Sequence, residues 1–378
     1  MSLSQRRRRR SPAVSTALGQ VCRGVWSNVA LTPIEVDEFV DAARLHRIAP
    51  LAHVVTREVA PSVSQLLKPD RDRAFAKNLA ACALLAELTR LLGDIPWVTF
   101  KGASLSMASH PVPGLRSFND IDVLTSPVHL RHACERLAAA GWTLLDREDM
   151  LAARPAPGEM HWISPNGFLV DLHWSIINRE PRRVRFRIPD AKLIDRRRNQ
   201  TLGFVDVPVL DHCDALIHTC VHAALDGANR LLQLVDADGL VRETTDWATV
   251  TTRAREWRAS AQVWLVLSRC RGVLGTPLPS NLAEALGVPT TLQRFLTAVD
   301  RVAPITSIRS EHGLARLVAR ALRPALGATA IALVHNVALG VRDRIKRPAL
   351  RKNRVPASAE TLQAFLTDVE MTNANVRV

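Results

Sequence analysis

The sequence predicts an α+β protein, a small mixed-sheet core between an N-terminal helical region and a large C-terminal helical region. Three observations carry that expectation. Apolar residues recur at helical spacing before residue 94 and again after residue 211. Between them the texture changes to short β-branched and aromatic runs: Trp97–Phe100, Asp120–Leu124, Trp142–Leu145, Met160–Ser164 and Gly167–Trp174. Asn166-Gly167, between the last two runs, is a strong hairpin signal.

In chain order, residues 1–12 read as a disordered basic tail and 13–94 as the first helical region. Thr32-Pro33 supplies a cap followed by a helix-starting proline. A second helix is expected from about Arg71 to Leu92, stopped by Gly93-Asp94-Ile95-Pro96. Residues 95–210 form the expected core. Its first strand ends at Lys101-Gly102, the small residues Ala103–Ser109 supply one or two helical turns, and Pro111-Val112-Pro113-Gly114 imposes an extended turn. Pro127–Gly141 returns to helix. Residues 211–345 form the second helical region, with helices at Asp211–Ala224, Arg230–Glu243, Trp247–Leu274, Thr290–Val302 and Gly313–Val341, the last kinked or split at Pro324. Residues 346–378 read as a basic C-terminal segment.

The formal net charge is +14, but its placement matters more than its size. Arg6–Arg10, Arg182–Arg198 and Arg342–Arg354 together carry +17, so the remainder of the chain is slightly acidic. That excludes a protein coated in positive charge, such as a nucleic-acid packager. The longest apolar run, Ala325–Val341, contains His335 and Asn336 and falls short of the roughly 18 apolar residues of a membrane span. It reads as a buried or amphipathic helix, and no transmembrane segment is expected. The N-terminal arginines precede no apolar stretch, so a secretory signal is not expected and the localisation reads as cytoplasmic. Six scattered cysteines without a Cys-x-x-Cys pair read as reduced thiols.

Asp120 and Asp122 lie two apart on an expected strand, so both carboxylates point to one face. Like charges there repel unless a cation lies between them, which is the arrangement a Mg²⁺ site wants. A lone D-x-D is also commonly a solvated surface pair, and three neighbours weigh against that reading. Lys101-Gly102 opens a small-residue helix whose backbone N–H groups can cradle phosphate, with the lysine adding a point charge. Arg116 lies in an irregular stretch close enough to meet a phosphate or orient the loop. Asp171 shares a strand face with Leu169 and His173, and supplies a third carboxylate if that strand pairs beside the first. Each neighbour also has an ordinary reading, as a strand-to-helix turn, a solvated arginine or a surface strand residue.

The segment FKGASLSMASHPVPGLRSFNDIDVL, followed by VDLHW at 170–174, resembles the bacterial family of uncharacterised nucleotidyltransferases within the DNA polymerase β-type superfamily. The likeness extends to AARLHRIAPLAHVV upstream and to LIHTCVHAA, LLQLVDADGLV and DWATV downstream, covering about residues 40–275. The resemblance implies a small mixed sheet with a two-metal site, in which Asp120, Asp122 and Asp171 hold Mg²⁺ or Mn²⁺ and Asp171 also serves as base. It implies an NTP substrate, with ATP expected. Lys101 and Gly102 stand where the wider superfamily commonly has Gly-Ser, so Ser104 is a candidate substitute in gripping the triphosphate. His222 and Asp236, in segments that match the family's helical part, are placed nearest the cleft.

His212, Cys213, His218, Cys220 and His222 invite a zinc reading, but Cys220 points away from the His218–His222 face, and helix packing plus a cleft histidine reads better. His173 and Trp174 are expected to support the site by packing. The expected function is therefore Mg²⁺-dependent transfer of a nucleotidyl group from an NTP to an acceptor hydroxyl, with peptide or RNA as possible acceptors and Arg182–Arg198 as one wall of an acceptor groove. The alternatives are a tailoring enzyme that transfers a nucleotidyl or phosphoryl group to a Ser or Thr of a ribosomally made peptide, a toxin-like tRNA nucleotidyltransferase, and an inactive binding module. The Arg342–Arg354 run fits a nucleic acid or an anionic membrane surface.

Overall fold

The computed structural model describes residues 10–346 and 355–376, with side chains at 10–337 and 355–372. Four helices open the chain: α1 (Pro12–Cys22), α2 (Pro33–Leu45), α3 (Ala49–Thr56) and α4 (Pro61–Leu92). Thr32 caps α2 as expected, exchanging hydrogen bonds with Glu35 three residues on. Arg10 differs from the expected solvated tail. It is buried, its Nε donates 2.8 Å to the Ile308 carbonyl and Nη1 donates 3.3 Å to that of Glu38. The rest of that tail, residues 1–9, lies outside the described residues. Helix α4 also starts ten residues earlier than its apolar pattern suggests and runs through Pro69. Tertiary contacts outweigh the proline here: Val63 and Leu67 are buried, and the Ser64 hydroxyl bonds His53 of α3.

The core sheet comprises β1 (Trp97–Phe100), β2 (Asp120–Thr125), β3 (Thr143–Leu144), β4 (Glu159–Ile163), β5 (Leu169–His173), β6 (Arg198–Leu202) and β7 (Val205–Val209). The order is β3-β4-β5-β2-β1-β7-β6. β4 and β5 form the hairpin that Asn166-Gly167 predicts. β2 pairs antiparallel with β1 and parallel with β5, in a register that sets Asp122 opposite Asp171. The β6–β7 hairpin is an addition to the expected strands. Its signal is the alternation in Val205–Val209 after Gly203, masked by the neighbouring arginines. Short helices fill the connections: α5 (Gly102–Ala108), α6 (Pro127–Ala139), α7 (Glu148–Leu151), α8 (Glu180–Arg185) and α9 (Asp190–Asp195).

The alternation of β2 divides the protein into two cores. Ile121 and Val123 face a core built from the second half of α4, α6 and the last helix. Leu124, Val98 and Phe100 belong to the other core, shared with α1–α3 and the C-terminal helices, which lies on the Asp120 and Asp122 side. Those helices are α10 (His212–Asp226), α11 (Leu231–Glu243), α12 (Trp247–Glu256), α13 (Ser260–Leu274), α14 (Leu282–Ala285), α15 (Thr290–Val302), α16 (Leu314–Ala321) and α17 (Leu326–Lys346). The single helix expected over Trp247–Leu274 is two, and the one expected over Gly313–Val341 is divided at Arg323-Pro324. Helix α17 is partly buried: Thr329 and Ala332 lie inside, whereas Ile331 and Val334 are largely exposed. No single helix among the described residues is long and apolar enough to cross a membrane, although α16 with the first part of α17 passes that test as a bent pair.

The expected basic C-terminal segment contains a docked helix, α18 (Ala359–Val376). Phe365, Leu366 and Val369 enter the second core, and Arg131 of α6 donates to Glu370, Gln363 and Thr367. Leaving Phe365 out of that core opens a cavity. Phe365→Ala is expected to lower unfolding stability by about 3–5 kcal/mol in denaturant titration, whereas Met371→Ala on the exposed face should stay within about 0.5 kcal/mol.

Candidate active site

The site begins at the turn from β1 to α5. Lys101 and Gly102 both have positive φ, +60° and +30°, and a Cβ at residue 102 would sit 3.1 Å from the Asp120 carbonyl. Glycine lets the turn press against β2 and brings Lys101 Nζ to 2.6 Å from Asp122 Oδ1. On the other side of Asp122, His173 Nε2 lies 3.2 Å from the same oxygen. Burial alone would raise the Asp122 carboxyl, but the Lys101 ammonium and the His173 ring hold it below the ordinary carboxylate range.

Asp171 is held less closely, with the His161 ring Nε2 4.0 Å from its Oδ1. It stands beside Asp122 on the neighbouring strand, and its Oδ1 is buried without a hydrogen bond. Burial, reinforced by the Asp122 and Asp120 charges, pushes its carboxyl up to about 7. Asp120 is raised as well, first by burial and then by Asp122. Asp122, Asp171 and His173 offer ligand atoms within 4.8 Å of one another, so this group could hold a metal ion. The oxygen-rich donor set suits a hard divalent cation such as Mg²⁺ or Mn²⁺. Two carboxylates and a buried orphan oxygen are what such an ion would satisfy.

A cleft of roughly 380 Å³ opens over these groups, lined by Asp120, Asp122, Asp171, Lys101, Gly102, Arg116 and His222 among others. Sequence reasoning expected all seven there. Asp236 lies just beneath, in an adjoining pocket, and holds Arg116 in a two-pronged ion pair with both N···O distances 2.8 Å. Gly239 makes that possible: a Cβ there would lie 2.0 Å from the Ser109 carbonyl, so only glycine lets α11 approach. Ser104 differs from expectation. Its hydroxyl donates 2.7 Å to the Lys101 carbonyl, and it lines a separate small pocket instead of the cleft. A helical i to i−3 bond to backbone satisfies it locally, which its position three residues into the turn makes easy.

His218 and His222 stack with ring centroids 6.0 Å apart, and both face the cleft. Cys220 is buried on the opposite side, and no metal-holding group among the described residues includes it. Phe100 meets both His173 and His218 edge-on, so His173 does help pack the site, as expected. Trp174 packs nearby, under the Arg183 guanidinium.

The Arg182–Arg198 stretch does not form one wall. Arg182 lines the cleft, Arg183 and Arg185 bond backbone carbonyls, and Arg196 pairs with Asp214. The side chains of Arg342–Arg354 lie outside the described residues. The cleft also holds groups that sequence reasoning missed: Arg47, Glu159, Arg179 and Arg230. Arg47 sits in the upstream stretch that carries the family resemblance, and Glu159 opens the strand paired with β5, but neither has a spacing that marks it.

The folded-state carboxyl of Asp171 sits above its unfolded value, so ionising it costs stability. That cost is absent below about pH 4, grows between about pH 4 and 7, and is constant above. With divalent metal removed by chelator, Asp171→Asn is expected to stabilise the fold by about 2–4 kcal/mol at pH 8 and negligibly near pH 4, read by denaturant midpoints at each pH. An equal or lower stability of the variant at pH 8 would contradict the assigned environment.

The sequence pattern of a family described as uncharacterised nucleotidyltransferase matches residues 32–275. That span holds the whole sheet, the cleft and α10–α13, and begins slightly upstream of the segment carrying the resemblance. No curated protein matches the chain. With its family pattern covering more than half of the sequence, the chain belongs to this family and is a transferase of nucleotidyl groups.

Proposed function

We propose that the chain transfers a nucleotidyl group from an NTP to a hydroxyl acceptor with Mg²⁺ or Mn²⁺ held by Asp120, Asp122 and Asp171. The observation that carries this reading is the register of β2 and β5, which stands Asp122 beside Asp171, where a buried Asp171 oxygen has no hydrogen bond. A cation held there would supply positive charge to the triphosphate and to the departing pyrophosphate.

The protein's own groups do the rest. Asp171 takes the proton from the acceptor hydroxyl as its oxygen bonds to the α-phosphorus and the bond to the β-phosphate breaks. Lys101 and Arg116 are two cations facing the cleft. They offset negative charge on the phosphates, and both are held in place before substrate arrives, by Asp122 and Asp236. His173, bonded to Asp122 and 3.4 Å from Glu159, orients the carboxylate without touching substrate. ATP is the expected donor.

Two outcomes test this reading. Asp120→Ala and Asp122→Ala are each expected to lower turnover by at least about 100-fold while far-UV circular dichroism stays unchanged. Retained turnover in either variant removes the proposed metal site. Incubation with NTPs labelled at the α- or γ-phosphate, together with extract from the source cells, should transfer only the α label. Transfer of the γ label would instead mean phosphoryl transfer. Asp236→Asn should loosen Arg116 and raise the NTP KM about tenfold with a smaller change in kcat, measured with the same assay.

A further inference from the structure

Three arginines that line the cleft, Arg47, Arg179 and Arg182, make no side-chain hydrogen bond or ion pair among the described residues. Arg47 keeps company with Arg230 and Arg116 on the Asp120 side. Arg179 and Arg182 line the cleft with the half-exposed Asp226, and the Arg320 charge also acts on Arg182. Asp226 offsets part of that positive charge.

Around Arg182 the like charges outweigh Asp226, since Arg320 and Arg179 each act on it more strongly than that carboxylate does. Burial and the nearby Arg320 and Arg179 lower the Arg182 guanidinium to about 10. Two other arginines of the cleft are matched, Arg116 by Asp236 and Arg230 by Glu311. Arg179 and Arg182, without side-chain partners on the wall of a substrate cleft, are therefore set for an incoming anion, and planar guanidinium forks fit phosphate oxygens.

Charge alone would also fit a nucleic-acid strand. The cleft disfavours that: its one aromatic carbocycle, Phe118, is buried, so no stacking platform for bases is presented. Its volume of roughly 380 Å³ is that of a small-molecule site. The nucleotide's own phosphates already have Lys101, the Gly102 turn and Arg116.

We propose that Arg179 and Arg182 form a phosphate subsite for the acceptor, so that the receiving molecule is a small hydroxyl compound that already carries a phosphate. The inference rests on the transfer reading above. The acceptor's hydroxyl oxygen bonds to the α-phosphorus, the α–β bridge breaks to release pyrophosphate, and the hydroxyl proton passes to Asp171. The acceptor's phosphate stays intact, and the product holds a new phosphodiester beside it.

The test uses the full chain with Mg²⁺ and saturating α,β-methylene ATP, titrated calorimetrically with glycerol 3-phosphate and, separately, glycerol. Glycerol 3-phosphate should bind on top of the nucleotide analogue at least about tenfold more tightly than glycerol. Arg179→Gln and Arg182→Gln should each weaken that binding about tenfold while the affinity for the analogue stays within about twofold. Competition between glycerol 3-phosphate and the analogue, equal weakening of both ligands, or no preference over glycerol would overturn the subsite. A wild-type chain that fails to bind the analogue marks a different failure, that of the transfer reading. Inorganic phosphate titrated into the nucleotide-free protein then decides the subsite alone: binding lost in Arg182→Gln supports it, and binding that is absent or unchanged overturns it.

Discussion

Two carboxylates stand side by side on adjacent parallel strands, on the face of the sheet that the C-terminal helices cover. Like charges a few ångströms apart in a partly buried place are unfavourable unless cations surround them. The surroundings of this pair answer that constraint residue by residue. Lys101 is brought in on a positive-φ turn, His173 lies between Asp122 and Glu159, and Asp171 is left with an oxygen that no hydrogen bond satisfies. The helices that close the cleft serve the same centre. α11 comes close at Gly239 so that Asp236 can hold Arg116, and α10 lays His218 and His222 along the wall.

Much of this was legible in the sequence, for local reasons. The Asp120-x-Asp122 spacing fixes a common face once a strand is granted, and Asn166-Gly167 fixes a hairpin that returns Asp171 to the sheet. Thr32-Pro33 and Pro324 mark helix boundaries through backbone chemistry alone. What escaped depended on tertiary placement. Ser104 looked suited to phosphate, but a hydroxyl three residues into a helix finds its own carbonyl first. The start of α4 was hidden by Pro69, whose cost the packing of Val63 and Leu67 offsets. The docking of α18 was hidden by the basic run before it, because composition over a window says little about an amphipathic helix within it.

The positive charge is the instructive case. A run of arginines in sequence suggested a continuous wall, yet backbone geometry sends consecutive side chains in different directions. Arg183 lies on Trp174, Arg196 ion-pairs with Asp214, and Arg182 alone of the stretch reaches the cleft. There it meets Arg179, and the charge of Arg320, far along the chain, also acts on it. The cleft is thus bipolar, carboxylates at its floor and guanidinium groups at its rim. Such an arrangement suits two anionic partners that a cation at the floor and arginines at the rim bind separately.

The central claim is that a divalent cation belongs between the β2 and β5 carboxylates. Anomalous diffraction from crystals grown with Mn²⁺ and a non-hydrolysable NTP analogue tests it directly. The account predicts a strong anomalous peak at coordination distance, about 2.1–2.3 Å, from carboxylate oxygens of both Asp122 and Asp171. A bound analogue with no peak there, and Lys101 still paired to Asp122, would contradict it.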